Sequence, residues 1–239
     1  MANKRIALIT GGNKGIGLEI ARQLAGAGVT VIIGSREAGR GAAAVADLAA
    51  QGLLATSVPL DVTDEASIAS AAAALAANNG HLDILVNNAG IFDFADAAPS
   101  SASISAVRKV METNFVGALA VTQAMLPLLR RSAAGRIVNL SSSLGSLSVN
   151  ADPSSPYFAQ RYIGYNASKA ALNMLTIQLT EELRDTGIVV NSVSPGFVKT
   201  DLTGYGVMTP EEGARLPVQH ALGGADNGRF IEPGGYTPW

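Results

Sequence analysis

The sequence contains no cysteine and only two histidines among its 239 residues. Without cysteine there can be no disulfide, no thiolate nucleophile and no cysteine-ligated metal, and two histidines cannot form a metal cluster alone. No metal is therefore expected, and any active site must use hydroxyl, amine, amide or carboxylate groups. The lack of disulfides fits a reducing compartment, so we expect a cytoplasmic protein.

Charge is also scarce. Charged residues make up 15% of the chain, the formal net charge is -2, and no long run of like charges occurs. This composition gives no electrostatic footprint for nucleic acid or for an anionic membrane. No hydrophobic run is long enough to span a membrane, and the apolar run near the start is too short for a signal peptide. We therefore expect a small-molecule ligand.

The residues that are present predict an alternating structure. With 48% hydrophobic residues the chain can bury a large core, and its length favours one domain over residues 1–239. Aliphatic runs predict strands at RIALIT, VTVIIG, LLATSVPL, LDILVNN, RIVNLS, IVVNSVS and the weaker RFIE. Amphipathic segments predict helices at 15–27, 37–51, 64–79, 103–131, 165–186 and 209–222.

The order of these segments predicts the fold class. Nearly continuous apolar strands indicate burial on both faces, and strand–helix alternation favours a parallel sheet with right-handed crossovers. The expected fold is α/β, a doubly wound Rossmann fold with a mainly parallel sheet of about seven strands and helices on both faces. Two segments, 144–163 and 196–210, are predicted to be long loops, which in compact domains are usually functional.

A glycine-rich turn, TGGNKGIG, follows the first predicted strand. Gly11, Gly15 and Gly17 would let the backbone turn tightly and approach a pyrophosphate at the N-terminus of the next helix. The spacing G-x-x-x-G-x-G differs from the common dinucleotide fingerprint, so the cluster alone is also compatible with a simple turn. Its place between a strand and a helix favours phosphate binding.

The end of the second predicted strand indicates which coenzyme is preferred. An NAD site would place an acid there, to accept a hydrogen bond from the ribose 2'-hydroxyl. The sequence instead has Arg36 at this position and Lys14 inside the glycine turn. Both cations could be ordinary solvated charges, but together they could neutralise a 2'-phosphate. The predicted cofactor is NADP(H).

Three tyrosines lie close together in YFAQRYIGYNASK, residues 157–169. Reducing a carbonyl requires a proton donor, and both Tyr157 and Tyr165 are followed four residues later by a cation, Arg161 and Lys169 respectively. Nearby prolines and Gly164 argue against a helix through Tyr157, whereas Tyr165 opens an amphipathic helical pattern. Tyr165 is the predicted donor, with Lys169 expected to bring the tyrosine pKa from about 10 towards about 7.

Two other polar positions are ambiguous on their own. The serines at 141–143 follow a predicted strand, where serines commonly complete a turn. Asn114 interrupts a predicted helix, and a buried amide there could be no more than a hydrogen-bonded core residue.

Several motifs occur together in one order between residue 4 and about residue 200. They are TGGNKGIG, LDV at 60–62, NNAG at 87–90, METNFVG around Asn114, NLSSS, YNASK and SPGFVKT at 194–200. In this order they resemble the short-chain dehydrogenase/reductases, and within them the NADPH-dependent carbonyl reductases. The resemblance implies hydride transfer from NADPH to the carbonyl carbon of a small, hydrophobic ketone or aldehyde, giving an alcohol. The alternatives are a reductase of another C=O or C=N substrate, such as a 3-oxoacyl thioester or an imine, and a noncatalytic NADP(H)-sensing protein.

The resemblance also implies residue roles. The catalytic residues would be Asn114, Ser142, Tyr165 and Lys169, with Asn114 holding a water that links Lys169 to solvent. The cofactor-binding residues would be Gly11, Asn13, Lys14, Gly15, Ile16, Gly17, Arg36, Asp61, Val62, Asn88, Ala89, Gly90, Tyr165, Lys169, Pro195, Gly196, Val198 and Thr200.

Two further expectations concern the substrate and the assembly. Every aromatic residue lies at or after Phe92, largely on segments expected around the nicotinamide, which favours a hydrophobic carbonyl substrate. The interval between Ser142 and Tyr165 is longer than the family's usual one. It precedes a helix that many relatives pair across subunits, so a monomer is favoured over a homo-oligomer.

Overall fold

The structure, a computed structural model, describes residues 4–202 and 204–239. Within these residues eight strands form one sheet. The strands are β1 (Ile6–Thr10), β2 (Thr30–Ser35), β3 (Ala55–Pro59), β4 (Ile84–Asn87), β5 (Arg136–Leu140), β6 (Val189–Val193), β7 (Phe230–Glu232) and β8 (Gly235–Tyr236). Their order across the sheet is β3-β2-β1-β4-β5-β6-β7-β8.

The strand order confirms the predicted doubly wound fold. All pairs from β3 to β7 are parallel, and β1 lies between β2 and β4, so the winding direction reverses beside β1. The sequence did not predict β8, which pairs antiparallel with β7 through a tight turn. Its two residues are too few to show a strand pattern.

Helices cover both faces of the sheet. They are α1 (Gly15–Gly26), α2 (Ala38–Ala50), α3 (Glu65–Asn79), α4 (Ile104–Met111), α5 (Gly117–Leu129), α6 (Leu147–Ala151), α7 (Ile163–Glu182) and α8 (Pro210–Leu222). Alternate residues of β1 point to two separate hydrophobic clusters. Leu8 packs with α3, α5 and α7, whereas Ile9 packs with α1, α2 and α8. Strands buried on both faces explain the continuous apolar runs.

Three predicted segments differ from the structure. The helix predicted over 103–131 is two helices, α4 and α5, joined by a π-helical turn at Glu112–Val116. The loop predicted over 144–163 contains the short helix α6, and α7 begins at Ile163 rather than at Tyr165. The segment predicted as a loop over 196–210 includes residue 203, which lies outside the described residues.

Candidate functional site

A cleft of about 760 Å³ lies at the carboxyl ends of the parallel strands. Its walls follow directly from β1, β2, β3, β4, β5 and β6, so it occupies the point where the strand order reverses, which is where open α/β sheets bind ligands. Of the residues predicted to bind cofactor or act in catalysis, the cleft is lined by Gly11, Asn13, Lys14, Gly15, Ile16, Gly17, Arg36, Asp61, Val62, Asn88, Ala89, Gly90, Tyr165, Lys169, Pro195 and Thr200. Most of the predicted site residues therefore lie around one cleft.

The glycine turn is held in shape by its neighbours. Gly11 and Gly15 adopt φ values of 61° and 55°, which other residues rarely adopt. A Cβ on Gly17 would lie 2.4 Å from Nδ2 of Asn88, the group that donates to the carbonyl oxygen of Thr10 at 2.8 Å. The backbone thus packs closely against Asn88, and the first residues of α1, Gly15, Ile16 and Gly17, line the cleft, where the N-terminus of a helix favours an anion.

Charged side chains surround the cleft where β2 ends. Arg36 is exposed and lines the cleft, and so do Glu37 and Arg40, whose side chains form an ion pair at 3.0 Å. Lys14 also lines the cleft, and its Nζ lies 3.3 Å from the carboxylate of Asp201. Sequence reasoning overlooked Glu37 and Arg40. Both residues lie at the start of α2, directly after Arg36, so the position of that helix next to the end of β2 could have indicated them.

Tyr165 and Lys169 lie one turn apart on α7. The Nζ atom of Lys169 is 5.7 Å from the centre of the Tyr165 ring and donates a hydrogen bond to the carbonyl oxygen of Leu140 at 2.8 Å. Tyr165 is half-buried beside the cleft and makes a side-chain hydrogen bond with Ser142. The end of β5 and the start of α7 therefore meet at one point.

The pKa values at this point differ from the expectation. Burial raises the pKa of Tyr165 to about 12, and the hydrogen bond with Ser142 opposes this rise only in part. Burial also lowers the pKa of Lys169 to about 8. The predicted tyrosine pKa near 7 differs from this value, because removal of the phenol from water outweighs the favourable contacts. Near neutral pH Tyr165 carries its proton and Lys169 is mostly charged.

The structure also separates Tyr165 from the other two tyrosines. Arg161 lies over the ring of Phe158, 4.4 Å from its centre, and Tyr157 lies in a turn rather than a helix. Tyr162 precedes α7 and packs on Phe92 with ring centres 4.9 Å apart. Of the three, Tyr165 alone is in a helix with a cation one turn later.

Aromatic rings border the catalytic end of the cleft. Phe92 packs edge-to-face against Tyr165 at 5.6 Å and against Phe94 at 5.3 Å. A second pair, Phe197 and Tyr205, lies on the segment after β6 with ring centres 5.8 Å apart. Of the aromatic residues expected around the nicotinamide, Phe92 and Phe94 line the cleft, and Phe94 is 79% exposed.

Comparison with known proteins agrees with this architecture. Residues 5–207 match the short chain dehydrogenase family model. The chain is 35% identical to short-chain dehydrogenase/reductase 1 of Saponaria officinalis, covering 100% of this chain and 97% of that protein. It is 34% identical to human carbonyl reductase [NADPH] 1, with 98% of each chain covered. The structure of NADPH-bound carbonyl reductase from chicken fatty liver superposes with a TM-score of 0.83 at 30% identity, covering 99% of this chain and 100% of that one.

The chain belongs to the short-chain dehydrogenase family. It is accordingly an enzyme of the oxidoreductase class, and its likeness extends over the whole chain rather than over the nucleotide-binding part alone.

Four predicted site residues of this short-chain dehydrogenase do not line the cleft. Ser142 reaches it only through Tyr165. Gly196 and Val198 were expected to bind cofactor and are not among the residues that line the cleft, so that role remains a prediction. A Cβ on Gly196 would be 2.7 Å from Sδ of Met208, and Val198 is buried against Gly213. Gly196 therefore packs closely against Met208, where the segment after β6 folds back on itself, and Val198 packs against α8.

Asn114, the fourth of these, lies in the π-helical turn and is fully buried. Its Oδ1 accepts from the N–H of Ile91 at 2.8 Å, and its Nδ2 donates to the Ile91 carbonyl and to Oγ of Ser168. The side chain therefore fastens the segment after β4 to α7. The water that the resemblance assigns to Asn114 remains a prediction.

No metal centre accompanies these groups in the described part of the chain: no three His, Asp or Glu side chains are arranged to hold an ion. Over the same residues, no helix is both long and apolar enough to cross a membrane.

Proposed function

We propose that this protein reduces a small, hydrophobic ketone or aldehyde to an alcohol, using NADPH. The observation that carries the proposal is the convergence of Tyr165, Ser142 and Lys169 at one end of a cleft whose other walls are a glycine turn and a group of cations. Such a cleft offers a proton donor and a coenzyme site together.

The cleft has the features that a dinucleotide requires. Its volume lies within the roughly 300–1,000 Å³ typical of small-molecule sites, and Gly17 leaves no space between the glycine turn and Asn88 for a side chain. Arg36 follows β2 and Lys169 contacts the end of β5, three strand positions away. At about 4.8 Å per strand this separation is about 14 Å, which suits an extended ligand.

NADPH, when bound, supplies the hydride for the carbonyl carbon, and the protein must supply the proton. Tyr165 is protonated at neutral pH, because burial holds its pKa near 12, so its hydroxyl can donate to the carbonyl oxygen as negative charge develops there. Ser142 shares a hydrogen bond with Tyr165 and would give the same oxygen a second donor. Lys169 would stabilise the phenolate left behind, and the alcohol forms with one hydride and one proton added.

The preference for a 2'-phosphate rests on the cations after β2. Arg36 offers a planar set of donors suited to phosphate, and Arg40 lies in the first turn of α2 beside the same cleft. Glu37, the acid closest to Arg36 in sequence, is already paired with Arg40. The balance of charge here favours NADPH over NADH.

The substrate class rests on the aromatic rings beside Tyr165. Phe92, Phe94 and Tyr162 form a continuous edge-to-face group, which gives apolar contact area and few polar anchors. This surface suits a hydrophobic carbonyl compound better than a sugar or an acidic metabolite.

A screen of purified protein with hydrophobic ketones, aldehydes, 3-oxoacyl thioesters and imines tests the proposal, with NADPH and NADH compared and Tyr165→Phe as the control. We expect turnover of carbonyl compounds with NADPH, lost in the Tyr165→Phe variant. Turnover confined to thioesters or imines would move the substrate assignment to that class. Tight NADPH binding without turnover of any compound would favour the sensing protein instead.

A further inference from the structure

We propose that Asp96 is a positioning residue for the proton donor: its carboxylate fixes the first turn of α7, and with it Tyr165, against the loop at residues 91–97. This inference rests on the proposed function, in which Tyr165 gives the proton. Neither the sequence patterns nor the motifs of the chain singled out Asp96.

Asp96 forms the cap of α7 from a distant part of the chain. One carboxylate oxygen accepts from the N–H of Gly164 at 2.9 Å, and the other accepts from the N–H of Tyr165 at 2.7 Å. The residue that precedes the helix, Tyr162, makes no side-chain cap of its own. Helix N-termini have unpaired N–H groups and favour negative charge, so Asp96 meets both needs.

The burial of Asp96 shows that this contact is specific. Only 3% of the residue is exposed, and a buried carboxylate is tolerated only when hydrogen bonds replace its water. Gly164 permits the close approach, because a Cβ there would lie 3.1 Å from the Asp96 carboxylate and 3.0 Å from Cα of Val107 in α4. The helix start is therefore enclosed on two sides.

The peptide groups of Tyr165 are held on both sides. Its N–H donates to Asp96, and its carbonyl oxygen accepts from Oγ of Ser168 at 2.7 Å. Ser168 in turn accepts from Nδ2 of Asn114 at 3.1 Å. Asp96 and Asn114 belong to two different segments outside α7, so a movement of the Tyr165 backbone would break its hydrogen bond to Asp96 or to Ser168.

The same loop also touches the Tyr165 ring. Phe92 packs against that ring at 5.6 Å, and the N–H of Ile163 donates to the carbonyl oxygen of Ala97 at 3.1 Å. The loop at residues 91–97, which borders the substrate end of the cleft, thus contacts both the backbone and the ring of Tyr165. Small displacements of a reacting group cost large factors in rate, so turnover should depend on Asp96 although it touches no reacting atom.

The test compares Asp96→Asn with Asp64→Asn. Asp64 caps α3 from the position just before that helix: the N–H groups of Ala66 at 2.9 Å and Ser67 at 3.4 Å both donate to its Oδ1, and α3 carries no catalytic residue. Asparagine keeps the size of the side chain but replaces one accepting oxygen with a donor. Gly164→Ala is a second variant that disturbs the contact between Asp96 and the start of α7, and it is used if Asp96→Asn folds poorly.

Two measurements decide the outcome. Hydrogen exchange in the absence of NADPH should become faster across residues 163–166 in Asp96→Asn and stay unchanged there in Asp64→Asn. Turnover should fall about tenfold or more in Asp96→Asn while the NADPH dissociation constant changes by less than about twofold. Unchanged exchange at 163–166, or full turnover, in Asp96→Asn would overturn the proposal.

A double-mutant cycle separates positioning from general destabilisation. If Asp96 acts through the Tyr165 hydroxyl, adding Asp96→Asn to Tyr165→Phe should leave the residual single-turnover rate unchanged. An equal fall in both backgrounds would overturn the positioning role. If Tyr165→Phe itself keeps full turnover, the donor assignment fails and this inference fails with it. If Tyr165→Phe loses turnover but Asp96→Asn keeps full turnover, the donor assignment stands and only the role of Asp96 is rejected.

Discussion

The two ends of the cleft are built differently. At the coenzyme end, the contacts come from backbone and from exposed charges: Gly11 and Gly15 shape the turn, and Arg36 and Lys14 are solvent-facing. At the catalytic end they come from buried side chains. Lys169 is 6% exposed, and Asp96 and Asn114 make hydrogen bonds to the backbone or side chains of neighbouring segments.

Because of this difference, mutations at the two ends of the cleft should have different effects. Exposed charges are screened by solvent and contribute modestly to folding, so changes to Arg36 should alter which ligand binds rather than whether the protein folds. Buried hydrogen-bonded groups are coupled to one another, so a change to one should disturb turnover through its neighbours. The predictions below test that division.

Apart from changes to the donor itself, the largest effect is expected for Lys169→Met, which removes the cation beside Tyr165. Turnover should fall by about 100-fold or more, as for loss of a group needed in general acid catalysis. Burial lowers the pKa of Lys169 to about 8, so the wild-type ammonium loses its proton as pH rises through about 8. A profile of kcat/KM against pH should therefore fall above that value in the wild type. The same falling limb in Lys169→Met would rule out Lys169 as its source.

A smaller but still large effect is expected for Gly17→Ala at the coenzyme end. The new methyl group would lie 2.4 Å from Nδ2 of Asn88 and 2.7 Å from the carbonyl oxygen of Gly11. Overpacking of this kind costs about 1–3 kcal/mol, so NADPH affinity should weaken by about tenfold to 100-fold. Calorimetric titration measures this. Gly26→Ala is the matched control, because a Cβ there meets nothing within 4 Å. Equal NADPH affinity in the two variants would contradict the account.

Arg36→Asp should change coenzyme choice without harming the fold. Loss of a charge-assisted hydrogen bond costs about 1.5–3 kcal/mol, so kcat/KM with NADPH should drop by about tenfold or more, and NADH use should improve. Steady-state kinetics with both coenzymes check this, with the melting temperature as the control. Equal wild-type efficiency with NADPH and NADH would refute the role of the cations.

The smallest effect is expected within the aromatic group. Phe92 contacts Tyr162, Tyr165 and Phe94, whereas Phe94 is 79% exposed. Aromatic pairs contribute about 0.5–1.5 kcal/mol each, so Phe92→Leu should lower turnover several-fold and Phe94→Leu should mainly raise KM. The two variants are compared with one hydrophobic ketone. If Phe92→Leu mainly raised KM and Phe94→Leu lowered turnover, Phe92 would line the cleft without positioning Tyr165.

The parts of the site that the sequence predicted are those whose signal is local. The turn at Gly11–Gly17 needs neighbouring glycines, and the pair Tyr165 and Lys169 needs one helical turn, so both are visible within a few residues. The strands were equally visible, because burial on both faces leaves unbroken apolar runs.

The parts that escaped prediction depend on tertiary contacts. Asp96 caps a helix that starts 67 positions further along the chain, at Ile163, and no local pattern marks such a pair. The π-helical turn at Glu112–Val116 lies where Asn114 interrupts the predicted helix, but a single poor helix former does not distinguish a π-helical turn from an α-helix. The tyrosine pKa differs from the prediction because it was judged from the spacing to Lys169, whereas burial dominates it.

The most direct test of the account is single-turnover oxidation of bound NADPH by a hydrophobic ketone in Tyr165→Phe, beside Tyr157→Phe and Tyr162→Phe. The change removes only the hydroxyl, so NADPH should bind as in the wild type while the rate falls by about 10²- to 10⁴-fold. The other two variants should keep rates close to the wild type and alter mainly substrate affinity. A near-wild-type rate in Tyr165→Phe, with loss of the reaction in Tyr157→Phe, would contradict the central claim that Tyr165 is the proton donor.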